Sequence, residues 1–151
     1  MRICKTNSLG NREGVYKSYY ENGQLYEEAN YINGRLNGIS KSYWETGQLQ
    51  QEVNCINGHR NGIYKSYCKN GQLCVEVNYI DGKENGIYKC YHYDGKLFKK
   101  VNYIDGKKNG IYKSYLKNGQ VKEEVNYIND KKEGIYKTYY KNSKLYKVIY
   151  I

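Results

Sequence analysis

The chain has 151 residues, enough for one domain, and 25 Lys and Arg against 15 Asp and Glu give it a formal net charge of +10. With 21 Tyr, one Phe, one Trp, no Pro and a single alanine, Ala29, it lacks the Leu, Val, Phe and Ala that fill the layers of an enzyme core. No apolar run approaches the roughly 18 residues of a membrane span, and Met1 to Ser8 hold no signal-like stretch, so a soluble, cytoplasmic protein is expected.

Taken in chain order, residues 1–13 form an N-terminal partial repeat or polar cap carrying Arg2, Lys5, Asn7 and Asn11. A period of 24 residues then takes over. Gly14, Gly38, Gly62, Gly86, Gly110 and Gly134 open six units: 14–37, 38–61, 62–85, 86–109, 110–133 and a truncated 134–151. Further glycines recur inside them, at Gly23, Gly47, Gly71, Gly95 and Gly119, and at Gly34, Gly58, Gly82 and Gly106. Each unit is two short runs divided by glycine turns. The first run, such as Ile63 to Tyr67, and the second, such as Leu73 to Ile80, are rich in β-branched and aromatic residues and read as strands. No run has a 3.6-residue period. The predicted fold is all-β.

Asn22-Gly23, Asn70-Gly71, Asp94-Gly95 and Asn118-Gly119 are hairpin signals of the two-residue type I′ kind. The stretch from Asn33 to Gly38, with its copies, reads as a longer glycine-bounded loop. A two-residue turn sets Lys17 opposite Glu28, Tyr16 opposite Ala29 and Tyr20 opposite Leu25. Its copies give Lys41 with Glu52, Lys65 with Glu76, and Lys113 with Glu124. Tyr64, Leu73, Val77 and Tyr79 then share an apolar face, and Ile63, Lys65, Tyr67, Gln72, Glu76 and Asn78 a mixed one. A three-residue loop with a glycine bulge would shift the pairing by one and mix the faces. The two-residue turn is the preferred reading.

The recurring Gly-x-Tyr-x-x-Tyr-x-x-Asn-Gly-x-Leu, followed by Tyr-Ile-Asn-Gly-Lys, resembles the MORN repeat. It is closest to the variant class of bacteria and large DNA viruses, some members of which are antitoxin components of toxin–antitoxin modules. The resemblance spans residues 10–151, with local departures at Ser40, Cys55, Asp130 and Ser143. It implies a single-layer, twisted antiparallel sheet of tandem hairpins, an elongated solenoid roughly 55–60 Å long at ~4.8 Å per strand. It also implies a tyrosine ladder (Tyr19, Tyr43, Tyr67, Tyr91, Tyr115 and Tyr139) beside Lys17 through Lys137. The family's role is structural or interactive, with partners that are proteins or membranes and no catalytic residues in the repeat.

The residues themselves point away from chemistry. Cys4, Cys55, Cys68, Cys74 and Cys90 lack metal-ligand spacing, and His59 and His92 do not recur. Five reduced thiols are expected, with Cys68 and Cys74 on opposite faces. Glu27-Glu28 and Glu123-Glu124 point to opposite sides of a strand and cannot act as a pair. No catalytic, cofactor or metal site is predicted, and the protein is not expected to be an enzyme.

Surfaces remain. Lys83, Lys107, Lys108, Lys131 and Lys132 crowd one row of loops and form the candidate contact for an anionic partner. Residues 76–151 carry 16 cations and 9 anions, against 9 and 6 in residues 1–75. Lys89 faces Lys100 instead of a glutamate, which adds both to the ladder surface. The final run, Leu145, Tyr146, Val148, Ile149, Tyr150 and Ile151, is an apolar edge strand expected to pair with a second copy or with the partner. Two functions follow. The leading one is a non-catalytic scaffold for a protein partner, antitoxin-like in one form. The other is an electrostatic binder of anionic membrane lipid or nucleic acid.

Overall fold

Two kinds of tight turn alternate along the chain and set everything else. In the computed structural model, which describes residues 2–151, both residues of Asn33-Gly34, Asn57-Gly58, Asp81-Gly82 and Asp105-Gly106 have positive φ, Asn33 at 49° and Gly34 at 78°. A type I′ turn needs that conformation at both central positions, and Asn, Asp and Gly adopt it at least cost. Asn129-Asp130 makes the turn without glycine, at φ 49° and 68°. There Asp130 Oδ1 accepts the Lys108 N–H at 2.9 Å. The expectation from the sequence is thus reversed: the I′ turns occupy the connection read as a long loop.

The Asn22-Gly23 connection is the three-residue loop. Gly23 alone of the pair is left-handed, at φ 83°. Its N–H donates to Tyr20 O at 3.1 Å, the Tyr20 N–H donates to Gln24 O at 2.9 Å, and Asn22 Oδ1 accepts from Gln24 N–H at 2.9 Å. This is a type I turn closed by a glycine bulge. On its own it would move every side chain of the following strand to the other face. A second bulge, after the Tyr19–Leu25 pair, shifts the register back. Lys17 therefore does face Glu28, and Tyr16 faces Ala29, while Leu25 lies opposite Tyr19 and not Tyr20. Lys41–Glu52, Lys65–Glu76 and Lys113–Glu124 pair likewise.

Among the described residues sixteen strands join in one open antiparallel sheet. They begin with β1 (Arg2–Thr6), β2 (Arg12–Tyr19), β3 (Leu25–Ile32), β4 (Arg35–Leu36), β5 (Gly38–Tyr43) and β6 (Leu49–Ile56). Then come β7 (His59–Tyr67), β8 (Leu73–Ile80), β9 (Lys83–Glu84), β10 (Gly86–Tyr91) and β11 (Leu97–Ile104). The last are β12 (Lys107–Lys108), β13 (Gly110–Tyr115), β14 (Val121–Ile128), β15 (Lys131–Tyr139) and β16 (Leu145–Tyr150). The order in the sheet follows the chain, with the two-residue β4, β9 and β12 pairing on β3, β8 and β11. β1 lies in the stretch read as a partial repeat or cap and pairs with β2.

Between β4 and β5 the strand bulges at Asn37, whose N–H donates to Asn30 O at 2.8 Å. Asn30 Nδ2 donates back to Asn37 O at 2.9 Å, and Asn54 with Asn61 and Asn102 with Asn109 repeat the bond. The recurrent mid-strand asparagine satisfies the carbonyl that the bulge takes off the ladder. Neighbouring units are tied at both sheet margins. Gly34 N–H donates to Arg12 O and Gly82 N–H to Arg60 O, at 2.9 and 2.8 Å. At the opposite margin Tyr20 Oη donates to Tyr43 O at 2.8 Å, and Asn70 Nδ2 to Tyr93 O at 2.7 Å.

One face buries the core. Tyr16 faces Ala29, Tyr64 lies between Val53 and Val77, and Tyr112 faces Val125, so rings and valines alternate across the strands. Val77 and Val125 are only 1% exposed. A second tyrosine leans edge-on against the first in three units: Tyr16–Tyr31, Tyr64–Tyr79 and Tyr112–Tyr127 have centroids 5.9, 6.1 and 6.0 Å apart. Large rings with a polar tip let a single layer cover its own valines. Leu73 does not join this face as expected, because the bulge pairs it with Tyr67 on the Lys65–Glu76 side.

The bulge also overturns the thiol expectation. Cys68 and Cys74 flank the turn, and the extra residue brings Cys74 round to Cys68. Their Cα atoms are 5.5 Å apart and the sulfurs form a disulfide, at ordinary spacing for the bond. Cys4, Cys55 and Cys90 are free, and burial pushes the Cys55 thiol up. Alkylation of unfolded but unreduced protein is therefore expected to add three labels, rising to five after reduction. Five labels without reductant would return both sulfurs to the free state.

Candidate functional site

The face opposite the valines is built of parallel rows, because a 24-residue repeat in constant register stacks equivalent positions. Its central row is ionic. Reading across the strands gives Lys17, Glu28, Lys41, Glu52, Lys65, Glu76, Lys89, Lys100, Lys113, Glu124 and Lys137. Cation and carboxylate alternate until Lys100 takes a glutamate's place. Lys89, read as unpaired from its hairpin partner Lys100, is in fact held from the other side. Its Nζ donates to Glu76 Oε1 at 3.0 Å. Lys113 Nζ sits 2.7 Å from Glu124 Oε2. The hydrogen bond that Lys89 donates to Glu76 raises its pKa, and the one that Lys113 donates to Glu124 does the same. Being partly exposed, these pairs contribute modestly to stability and mainly fix lysine positions.

Beside the ionic row runs a row of isoleucine and asparagine: Ile39–Asn54, Ile63–Asn78, Ile87–Asn102 and Ile111–Asn126. Ile39, Ile63, Ile87 and Ile111 are 54–60% exposed. A second isoleucine row, Ile32, Ile56, Ile80, Ile104 and Ile128, lies next to the I′ turns and is 41–51% exposed. Scattered exposed apolar residues are ordinary, but contiguous rows along a whole face mark a contact surface. Sequence reasoning placed Ile63 on the mixed face and went no further. The available signal was parity: Ile63 is odd-numbered like Lys65, and the strand alternates.

On the other side of the ionic row stands the tyrosine ladder of Tyr19, Tyr43, Tyr67, Tyr91, Tyr115 and Tyr139, all half-buried. Tyr67 Oη donates to Glu52 Oε1 at 3.2 Å, which holds the ring beside the charges.

The basic turn row divides between the two faces. Lys83, Lys107 and Lys131 pair with Ile80, Ile104 and Ile128 and edge the isoleucine face. Lys108 and Lys132 pair with Tyr103 and Tyr127 on the buried-valine face. Their ammonium groups lie over rings, Lys108 5.1 Å from Tyr127 and Lys132 4.8 Å from Tyr136. Lys83 is bound by Asp105 at 2.7 Å. The edge-strand residues Leu145, Tyr146, Val148, Ile149 and Tyr150 form β16, with Ile151 after it, and pair with β15 on one side.

Among the described residues neither face shows a reacting pair. Glu123 accepts from Tyr112, Ser114 and Tyr136 at 3.2, 3.1 and 2.7 Å. Burial pushes its carboxyl up, but the three hydroxyls outweigh that and hold it below the ordinary range. Glu124 faces Lys113 on the opposite side of the strand. His92 packs on Phe98 at 4.9 Å. Among the described residues no three His, Cys, Asp or Glu side chains gather to hold a metal.

A one-layer sheet of stacked hairpins, its valines covered by its own tyrosines and its other face open, is a repeat scaffold. The chain belongs to the MORN repeat variant family, whose profile matches residues 12–33, 36–57, 60–81, 84–105, 108–129 and 132–150. MORN repeats generally serve as scaffolds that bind proteins or membranes. No curated protein matches the chain. Among solved structures it is similar to the crystal structure of TarM, at 11% identity and a TM-score of 0.36. That likeness covers 87% of this chain and only 20% of that one, and adds nothing to the fold described above.

Proposed function

We propose that the chain is a non-catalytic scaffold that holds a protein partner against its isoleucine face. The observation that carries this reading is the pair of exposed isoleucine rows bordered by a charge row whose lysines are fixed by glutamates. Apolar area supplies affinity there and the charges supply register, a division of labour usual at protein interfaces. A toxin neutralised by such a face is one partner of this class, and a second copy of the chain, joined through β16, is another. Lipid or nucleic acid fits less well, because Lys83 is already bound to Asp105 and the ammonium groups of Lys108 and Lys132 rest on tyrosines of the opposite face.

The test is affinity capture from native lysate with the unaltered chain and an Ile63→Thr, Ile87→Thr, Ile111→Thr variant side by side. A protein retained by the first and lost by the second, at unchanged circular dichroism, is the expected result. Capture that ignores the isoleucines but collapses as salt is raised would point to counterion-driven binding instead.

A further inference from the structure

The ionic row has one interruption. In four other units the position opposite the hairpin lysine is Glu28, Glu52, Glu76 or Glu124, each lying between two lysines, and in the last it is Val148. At Lys100 the charge is reversed, so Lys89, Lys100 and Lys113 stand side by side on adjacent strands. The outer two are bound to Glu76 and Glu124. Among the described residues no carboxylate lies within ion-pair reach of Lys100. Lys100 lines a shallow depression of about 430 Å³ together with Ile87, Val101, Asn102, Ile111 and Lys113. Ile87 and Ile111 form its apolar walls, 54% and 55% exposed.

We infer that this depression is the specificity point of the face, and that it takes a carboxylate side chain of a partner protein with apolar residues on either side. The inference rests on the protein-binding reading above and names what that partner presents. A carboxylate between Lys89 and Lys113 completes the alternation that every neighbouring unit completes for itself. It meets one cation whose charge is unanswered and two already neutralised. Charge-assisted bonds to a lysine at a half-buried site are the stronger class of hydrogen bond. The isoleucine walls exclude water from them and contact whatever flanks the acid. A bare phosphate or a lipid headgroup would satisfy Lys100 but leave both walls wet.

The experiment uses the full chain and a short blocked peptide carrying one glutamate flanked by leucines. Its twin has lysine in the glutamate's place. Binding is followed by NMR of the protein's amides and lysine ammonium groups. The glutamate peptide is expected to bind and to shift Lys100, Ile87 and Ile111, while the twin does not. Lys100→Glu should weaken the glutamate peptide about tenfold or more. The variant should fold with an equal or higher thermal midpoint, since it installs the residue that four other units carry there. Equal binding of both peptides, shifts centred elsewhere, or no loss in Lys100→Glu would overturn the proposal. So would vesicles of anionic lipid that bind through Lys100 while the peptide does not. Failure of the peptide beside successful isoleucine-dependent capture removes this site and leaves the scaffold reading standing.

Discussion

Replacing Val77 by Asp is expected to cost roughly 3–5 kcal/mol and to split the unfolding of the chain into two transitions. Val77 is 1% exposed, opposite Tyr64 in the middle of the sheet, and a carboxylate there loses water without gaining a partner. The split follows from the architecture. Strand pairs form only between neighbours, so stability is close to a sum of hairpins and the interfaces between them. A central unit that opens leaves the two flanks coupled to nothing but themselves. Val77→Ala is the control. Ala29 already occupies the equivalent position in the first unit, and losing two buried carbons costs about 1.6 kcal/mol. Urea unfolding followed by circular dichroism, with amide exchange to locate the loss, measures both variants. A single transition with an unchanged midpoint for Val77→Asp would show that the valine row is not the core.

The second large effect is expected at alkaline pH. Tyr88 is pushed up to about 12, chiefly by burial and then by Cys90. Tyr136 is pushed up to about 12 by its hydrogen bond to Glu123, with burial adding to it. Burial also raises Tyr20, Tyr67, Tyr103, Tyr112 and Tyr127 from the ordinary value of 10. A raised phenol favours the neutral form in the folded state. Its contribution is complete below pH 10, where the unfolded chain also keeps its protons, and is lost as pH rises toward 12. Cooperative unfolding within that window is expected, with tyrosinate absorbance rising as the sheet signal falls. Glu123→Gln removes the anion beside Tyr136 and should bring that phenol down. Tyrosines that all titrate near 10 while the sheet persists would refute the account.

The sequence was legible where it repeats. Gly14 and its successors fix the period, and β-branched and aromatic runs between glycines admit only strands. The turns were harder, because Asn-Gly suits a type I′ turn and equally a type I turn closed by a glycine bulge. The correct Lys17–Glu28 register emerged through cancellation, since the longer turn and the second bulge shift the pairing in opposite senses. The disulfide depends on that second bulge, which nothing at Leu73 or Cys74 announces. The isoleucine rows were illegible for another reason. Alternation separates Ile63 from Val77, but it does not say which side of a one-layer sheet the tyrosines close. Lys100 was visible as the partner of Lys89 within the hairpin. That Glu76 would capture Lys89 from the next strand required the pairing of β8 with β10.

Each I′ turn is fastened to the strand one unit before it, as Gly34 is to Arg12 and Gly82 to Arg60, and equivalent residues lie 24 apart throughout. A whole unit can therefore be spliced out or duplicated without stranding a single backbone donor, provided the cut falls at the same phase on both sides. Length becomes a quantity that recombination within the gene can tune, one hairpin pair at a time, while point changes tune what each pair displays. Removing residues 86–109 would bring Gly110 to the place of Gly86 and set Lys113 against Glu76. The shortened chain would have an unbroken alternation of charge from Lys17 to Lys137, and the reversal at Lys100 would be gone.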